Sequence, residues 1–137
     1  MTAECLLDTN ILVYAVDSTP GHSRKRKISL ELMESLDFAV SAQVLQEFYV
    51  TVTRKLEQPL STEKATRYVE KLSQLPVVPT DVDLVLAGIL FSLRHRISYW
   101  DGAILAATER LGAKTLFSED LNSGQSFGSV RVVNPYL

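Results

Sequence analysis

Four acidic residues, Asp8, Glu47, Asp101 and Asp120, each stand at or near the boundary of an expected structural element. Asp8 closes the run Glu4-Cys5-Leu6-Leu7 and is followed at once by Thr9-Asn10-Ile11-Leu12. A strand that hands a carboxylate to the start of a helix has the character of an α/β active-site edge, where ligands bind outside the carboxyl ends of the strands. Carboxylates drawn together repel, by about 4 kcal/mol per pair at about 4 Å and an effective dielectric near ~20. Such a cluster persists only where protons or a metal ion neutralise it. An all-oxygen donor set, without paired histidines or cysteines, suits Mg²⁺ or Mn²⁺.

The elements that must position these acids alternate between β-rich runs and helical segments. Residues 4–8 are expected as a strand, and Asn10 to Ala15 as a short helix capped near Thr9 or Asn10. Asp17 to Gly21 has loop composition, and residues 22–36 place Ile28, Leu32 and Leu36 at spacing four. Residues 37–40 are expected as a second strand. Ser41 then caps a helix to about Leu56, whose stripe of Val44, Leu45, Phe48 and Val52 has Glu47 beside it. Ser61 opens a helix to about Leu75, and Pro76 to Pro79 is a short extended segment. Thr80 with Asp83, and Ser98 with Asp101, match capping boxes. They open helices to about Arg96 and to Gly112. Thr115–Ser118 and Val130–Val133 are expected as strands, with a loop over Asn122–Ser129. The alternation predicts a mainly parallel sheet covered by helices through right-handed crossovers.

Bulk properties fit that architecture. A chain of 137 residues suggests a single domain over 1–137, large enough to bury roughly two-thirds of its unfolded surface. Hydrophobic residues make up 46% and charged residues 22%, which excludes a disordered chain. A net charge of −2 argues against a protein that coats nucleic acid nonspecifically but does not exclude a nuclease. The lone Cys5 allows no internal disulfide and is expected as a small buried hydrophobe. Glu4 and Asp8 interrupt any signal-peptide pattern, and the longest apolar stretch is too short to span a bilayer. A cytoplasmic protein, with no membrane association, is the expectation.

Four segments in order resemble the motifs of PIN-domain nucleases. They are Leu7-Asp8-Thr9-Asn10-Ile11-Leu12-Val13-Tyr14, Ser41-Ala42-Gln43-Val44-Leu45-Gln46-Glu47-Phe48, Ser98-Tyr99-Trp100-Asp101-Gly102-Ala103-Ile104 and Leu116-Phe117-Ser118-Glu119-Asp120-Leu121. The ending Val133-Asn134-Pro135-Tyr136 is also similar to that family. The compact size is similar to VapC-type toxins of bacterial toxin–antitoxin pairs. The resemblance implies a three-layer α/β/α PIN-like fold with a mainly parallel central sheet. It also implies metal-dependent endoribonuclease activity, inhibition by a separate antitoxin protein, and a homodimer. Asp8, Glu47, Asp101 and Asp120 take the metal-holding, catalytic role, with Glu119 competing for the fourth position because Ser123-Gly124 stands where many relatives carry a further acid.

Other residues carry competing readings. Asn10 and Ser118 could orient the carboxylates by hydrogen bonds, although capping and turn formation explain them as well. Arg24-Lys25-Arg26-Lys27 and Arg94-His95-Arg96 are solvated basic runs or phosphate contacts. Trp100 and Tyr99 could pack at a helix start or stack on a base. His22 and His95 show no metal-ligand spacing. Two rival functions are a haloacid dehalogenase-like phosphatase and a non-catalytic PIN-like scaffold binding RNA or protein. The first needs a second aspartate two residues after Asp8, where Asn10 stands.

Overall fold

A computed structural model describes residues 2–137. Its strands are β1 (Cys5–Leu7), β2 (Phe38–Ser41), β3 (Val77–Val78), β4 (Thr115–Phe117), β5 (Ser126–Phe127) and β6 (Val130–Val133). Its α-helices are α1 (Thr9–Val16), α2 (Ser23–Ser35), α3 (Ala42–Arg54), α4 (Thr62–Leu72), α5 (Val82–His95) and α6 (Tyr99–Leu111). The strands form one sheet in the order β3-β2-β1-β4-β6-β5, parallel except for the β5–β6 pair. Every residue of β1 and β2 is buried. Continuous apolar strands of this kind are what a parallel sheet covered on both faces requires.

The topology places the site. The chain steps from β1 through β2 to β3 in one direction, then returns past β1 to β4. With right-handed crossovers, that reversal sends α5 and α6 to the face opposite α1–α4, giving three α/β/α layers. α1 packs on α2 and α3, α3 on α4, and α5 on α6. The reversal also opens a crevice at the carboxyl ends of β1 and β4. Asp8 and Ser118 are the residues that leave those two strands, and the Asp8 N–H donates to Phe117 O at 3.0 Å.

Local structure differs from expectation in four places. Asp8 itself caps α1, its carboxylate accepting from Thr9 N at 2.7 Å. A carboxylate competes for this position better than the Thr9 or Asn10 side chains because it meets the positive helix end. Asp81 caps α5 by accepting from Leu84 N at 2.8 Å, so the Thr80–Asp83 capping box does not form. Arg110 Nη1 also donates to both Asp81 carboxylate oxygens, at 3.0 and 2.9 Å, an attraction Thr80 could not supply. The segment Asn122–Ser129 is not wholly loop: Ser126–Phe127 pairs antiparallel with β6 and buries Phe127. Pro20–His22 forms a 3₁₀ turn ahead of α2, whereas the helical pattern predicted α-helix from residue 22.

α5 and α6 meet through glycine. A Cβ at Gly102 would lie 2.5 Å from Gly88 O and 2.9 Å from Ser92 N. Both obstacles are backbone and cannot rotate away. α6 is buried continuously from Gly102 to Thr108, so its position is set by this contact together with the sheet. Gly102→Ala is therefore expected to destabilise the fold by about 1–3 kcal/mol in urea melts. Gly21→Ala, with open space around it, should stay within about 0.5 kcal/mol of wild type. Equal losses at both positions would remove the backbone contact as the reason.

Candidate active site

Each acid arrives on a different segment of the chain. Asp8 follows β1, Glu47 lies in α3, Asp101 in the first turn of α6, and Asp120 two residues into the turn after Ser118. α3 is fixed by Ser41, whose hydroxyl accepts from Val44 N at 3.2 Å, and by buried Val44, Phe48 and Val52. That orientation leaves Glu47 exposed next to the buried stripe. α6 starts at Ser98, whose hydroxyl accepts from Asp101 N at 3.1 Å. The reciprocal half of the expected capping box is missing: among the described residues nothing hydrogen-bonds the Asp101 carboxylate, which lines a cleft instead.

That cleft has a volume of about 480 Å³ and is walled by Gln43, Gln46, Glu47, Trp100, Asp101 and Asp120. Asp8 joins it through hydrogen bonds. Ser118 Oγ donates to Asp8 Oδ2 at 2.7 Å and accepts from Asp120 N at 3.1 Å. Thr9 Oγ1 donates to Glu47 Oε2 at 3.3 Å, and Gln43 Nε2 to Glu47 Oε1 at 2.8 Å. Asn10 Nδ2 donates to both Asp120 oxygens, at 3.2 and 3.3 Å. Thr9 and Gln43 were not singled out from sequence. Gln43 stands four residues before Glu47 on one helix, a spacing that could have found it; nothing in the sequence links Thr9 to Glu47.

Burial and neighbouring charge act together on Asp8 and Asp120. Burial pushes the Asp8 carboxyl up to about 6 from 3.8, against the Ser118 and Thr9 hydrogen bonds, and the Asp120 and Glu47 charges push the same way. Burial also raises Asp120, with Glu119, Asp101 and Glu47 adding to the effect and Asn10 opposing it. Glu119 behaves differently. Burial would raise its carboxyl, but hydrogen bonds from Lys25 and Tyr14 outweigh that and hold it below the ordinary range. Tyr14 Oη donates to Glu119 Oε1 at 2.6 Å and Lys25 Nζ to Oε2 at 2.8 Å, occupying both oxygens. The turn therefore aims Glu119 at α1 and α2, and Asp120 at the cleft. Lys25 is committed to this ion pair and to the Tyr14 ring, 4.9 Å from its centroid, so the basic run of α2 is not uniformly a solvated face.

Oxygen donors, raised carboxyls and an open cleft suit a hard divalent cation. The acids do not yet form a closed shell: among the described residues no three Asp, Glu, His or Cys side chains stand together as ligands of one ion.

The family model of the PIN domain matches residues 5–123. The chain belongs to the PIN-domain family. No curated protein matches it by sequence. Among solved structures, this PIN domain is similar to a toxin–antitoxin complex from Klebsiella pneumoniae, at 19% identity, TM-score 0.72 and coverage of 96% of this chain and 98% of that one. It is similar to VapC20, a sarcin-ricin loop cleaving toxin from Mycobacterium tuberculosis, at 18% identity, TM-score 0.65 and coverage of 85% and 91%. FitAcB from Neisseria gonorrhoeae gives 23% identity, TM-score 0.64 and coverage of 96% and 98%. At these identities the likeness is one of fold.

The raised Asp8 carboxyl has a consequence for the metal-free PIN domain. Its folded value of about 6 exceeds the unfolded 3.8, so the folded state holds a proton that the unfolded state has lost. Its contribution to stability is fully present below about pH 4 and is lost as pH rises through about 6. Asp8→Asn removes that loss. In EDTA at pH 7 the variant is expected to match or exceed wild-type stability, the difference being on the order of 1–3 kcal/mol and shrinking toward pH 4. A variant less stable at every pH would show that Asp8 is a structural cap and not a strained acid.

Proposed function

We propose that this PIN domain is a Mg²⁺- or Mn²⁺-dependent endoribonuclease, the toxin of a toxin–antitoxin pair. What supports the proposal is a cleft walled by Glu47, Asp101 and Asp120, to which Ser118 ties Asp8 at the ends of β1 and β4, with Asp8 and Asp120 both raised, chiefly by burial. The fold likenesses to a toxin–antitoxin complex and to a sarcin-ricin loop cleaving toxin support the same reading.

Asp8, Glu47, Asp101 and Asp120 would hold the ion. When bound, a divalent ion would supply positive charge for the phosphoryl oxygens and lower the pKa of water. Ser118 holds Asp8, and Asn10 and the Ser118 hydroxyl hold Asp120, so both carboxylates meet the substrate already oriented. Trp100, exposed beside Asp101, offers a ring on which a base can stack. Water is the attacking group in this reading, and the ribose 2′-hydroxyl is not.

A homodimer is part of the proposal. Val82, Leu86, Ile89, Leu90 and Leu93 make an exposed apolar stripe along α5. An unbroken stripe of this kind on one helix suits a self-complementary contact. The antitoxin is proposed for a separate surface. An apolar groove of about 290 Å³, walled in part by Leu12, Val16, Met33, Phe48 and Leu72, carries Lys71 at its edge with Lys64 and Arg67 beside it. It fits an amphipathic helix with an acidic flank. Among the described residues no helix is long and apolar enough to cross a membrane, and a cytoplasmic site of action is proposed.

With Mn²⁺ and single-stranded RNA, the products should carry 5′-phosphate and 3′-hydroxyl ends, and EDTA should stop cleavage. Asp101→Asn is expected to lower kcat on the order of 100-fold and Asn10→Ala about 10-fold. A 2′,3′-cyclic phosphate product would sink the mechanism. For the dimer, light scattering after gel filtration should give twice the monomer mass, and Leu86→Glu with Leu90→Glu should halve it. A wild-type monomer at tens of micromolar removes the assignment of α5.

A further inference from the structure

The run Arg94-His95-Arg96 closes α5, and Arg96 is a residue type unusual for the backbone it adopts there. Arg96 is the C-cap of α5 with φ 55° and ψ 48°, the left-handed region. The equivalent cap of α6 is Gly112 at φ 81°, the residue that adopts this conformation without a steric penalty. Among the described residues Arg96 is the one non-glycine with positive φ. Observed strain of this kind points toward a local role.

Arg96 lines a second cavity of about 310 Å³, together with His95, Ile97, Asp120, Asn122 and Gln125. Asp120 is thus a shared wall between this cavity and the carboxylate cleft. Among the described residues Arg96 makes no ion pair. Asn122 Nδ2 donates to Gln125 Oε1 at 3.2 Å, which leaves the side-chain Gln125 Nε2 and Asn122 Oδ1 for a ligand. His95 stacks edge-on against Phe127 at 5.1 Å, and its buried Nε2 has no hydrogen-bond partner. The cavity therefore offers a guanidinium, an amide donor, an amide acceptor and the apolar side of Ile97, immediately beyond an acid of the cleft.

The geometry points to a nucleotide subsite here, in which Arg96 binds a phosphate of the RNA strand flanking the bond cut in the neighbouring cleft. The inference rests on the endoribonuclease reading. Arg96 is placed by the left-handed cap, which turns the chain out of α5 beside the loop that carries Asn122 and Gln125. A glycine would cap the helix at least as well but could not reach a phosphate. Asn122 and Gln125 would meet the attached ribose or base.

The test separates backbone from side chain. A fluorescein-labelled single-stranded RNA 20-mer is titrated with wild type, Arg96→Gly and Arg96→Lys in Mn²⁺, with cleavage and anisotropy both followed and Tm measured alongside. Arg96→Gly should keep or raise Tm by about 1–4 °C, because the strain is relieved. It should raise KM about 10-fold with kcat within about twofold, and should flatten the slope of log Kd against log salt by about 0.7, one phosphate contact on a single strand. Arg96→Lys should retain part of the affinity. Unchanged KM and salt slope in Arg96→Gly overturn the subsite, leaving Arg96 a poor cap and nothing more; a lowered Tm with unchanged slope does the same. If wild type binds RNA without cutting it, the nuclease reading fails while the anisotropy comparison still decides on Arg96. If it neither binds nor cuts, both fall.

Discussion

Like charges held near one another are the constraint around which this PIN domain is organised. Asp8, Glu47, Asp101 and Asp120 come from four elements, and bringing them to one crevice costs electrostatic free energy that grows as they approach. Three of the acids therefore sit on or beside elements that do not yield. Asp8 follows a strand with no exposed residue, Glu47 rides a helix with three fully buried apolar anchors, and Asp101 belongs to a helix locked by a glycine contact. The buried core supplies the free energy that offsets the repulsion at its edge, as hydrophobic burial does for most unfavourable local geometry. Burial is the larger cause of the raised carboxyls of Asp8 and Asp120, and the neighbouring acids add to it.

The polar side chains around the acids divide the work unequally. Ser118 serves two acids at once, donating to the Asp8 carboxylate and accepting from the Asp120 backbone, so the ends of β1 and β4 are tied at the point where they diverge. Asn10 does for Asp120 what Thr9 and Gln43 do for Glu47. Asp101 has no such partner among the described residues, and its aim depends on the placement of α6 alone. Glu119 and Asp120 are neighbours in sequence with opposite surroundings. Lys25 pairs with the first and Tyr14 hydrogen-bonds it, so its carboxylate is turned away from the cleft although its charge still raises Asp120.

Much of this was legible from residues because the signals were local. Ser41, Ser61 and Ser98 sit before apolar-periodic runs, and all three accept the expected backbone N–H. The apolar runs of β1 and β2 announced a sheet buried on both faces. The rest depended on contacts between distant segments. Asp81 was preferred over Thr80 as a cap because Arg110, 29 residues on, adds a second attraction. Ser126–Phe127 became a strand because β6 was there to receive it, not because two residues carry a strand pattern. Tyr14, Lys25 and Glu119 meet across more than ninety residues, and no spacing rule connects them. Asn10 and Ser118 were visible as candidates, but only the fold assigns Asn10 to Asp120 and Ser118 to Asp8.

α5 and α6 couple regions that would otherwise be separate. The outer face of α5 carries the exposed apolar stripe, its inner face meets α6 at Gly88 and Gly102, and its last residue leads into the left-handed Arg96. α6 carries Trp100 and Asp101 into the cleft on its first turn. At Gly102 the closest approach between the helices is to backbone, and Arg110 Nη1 bonds both carboxylate oxygens of the Asp81 cap at the opposite end. Closely packed interiors transmit displacement because they cannot compress. A partner seated on the outer stripe would therefore restrain the pair as one body, and with it both the acid that has no orienting hydrogen bond and the cation beyond Asp120.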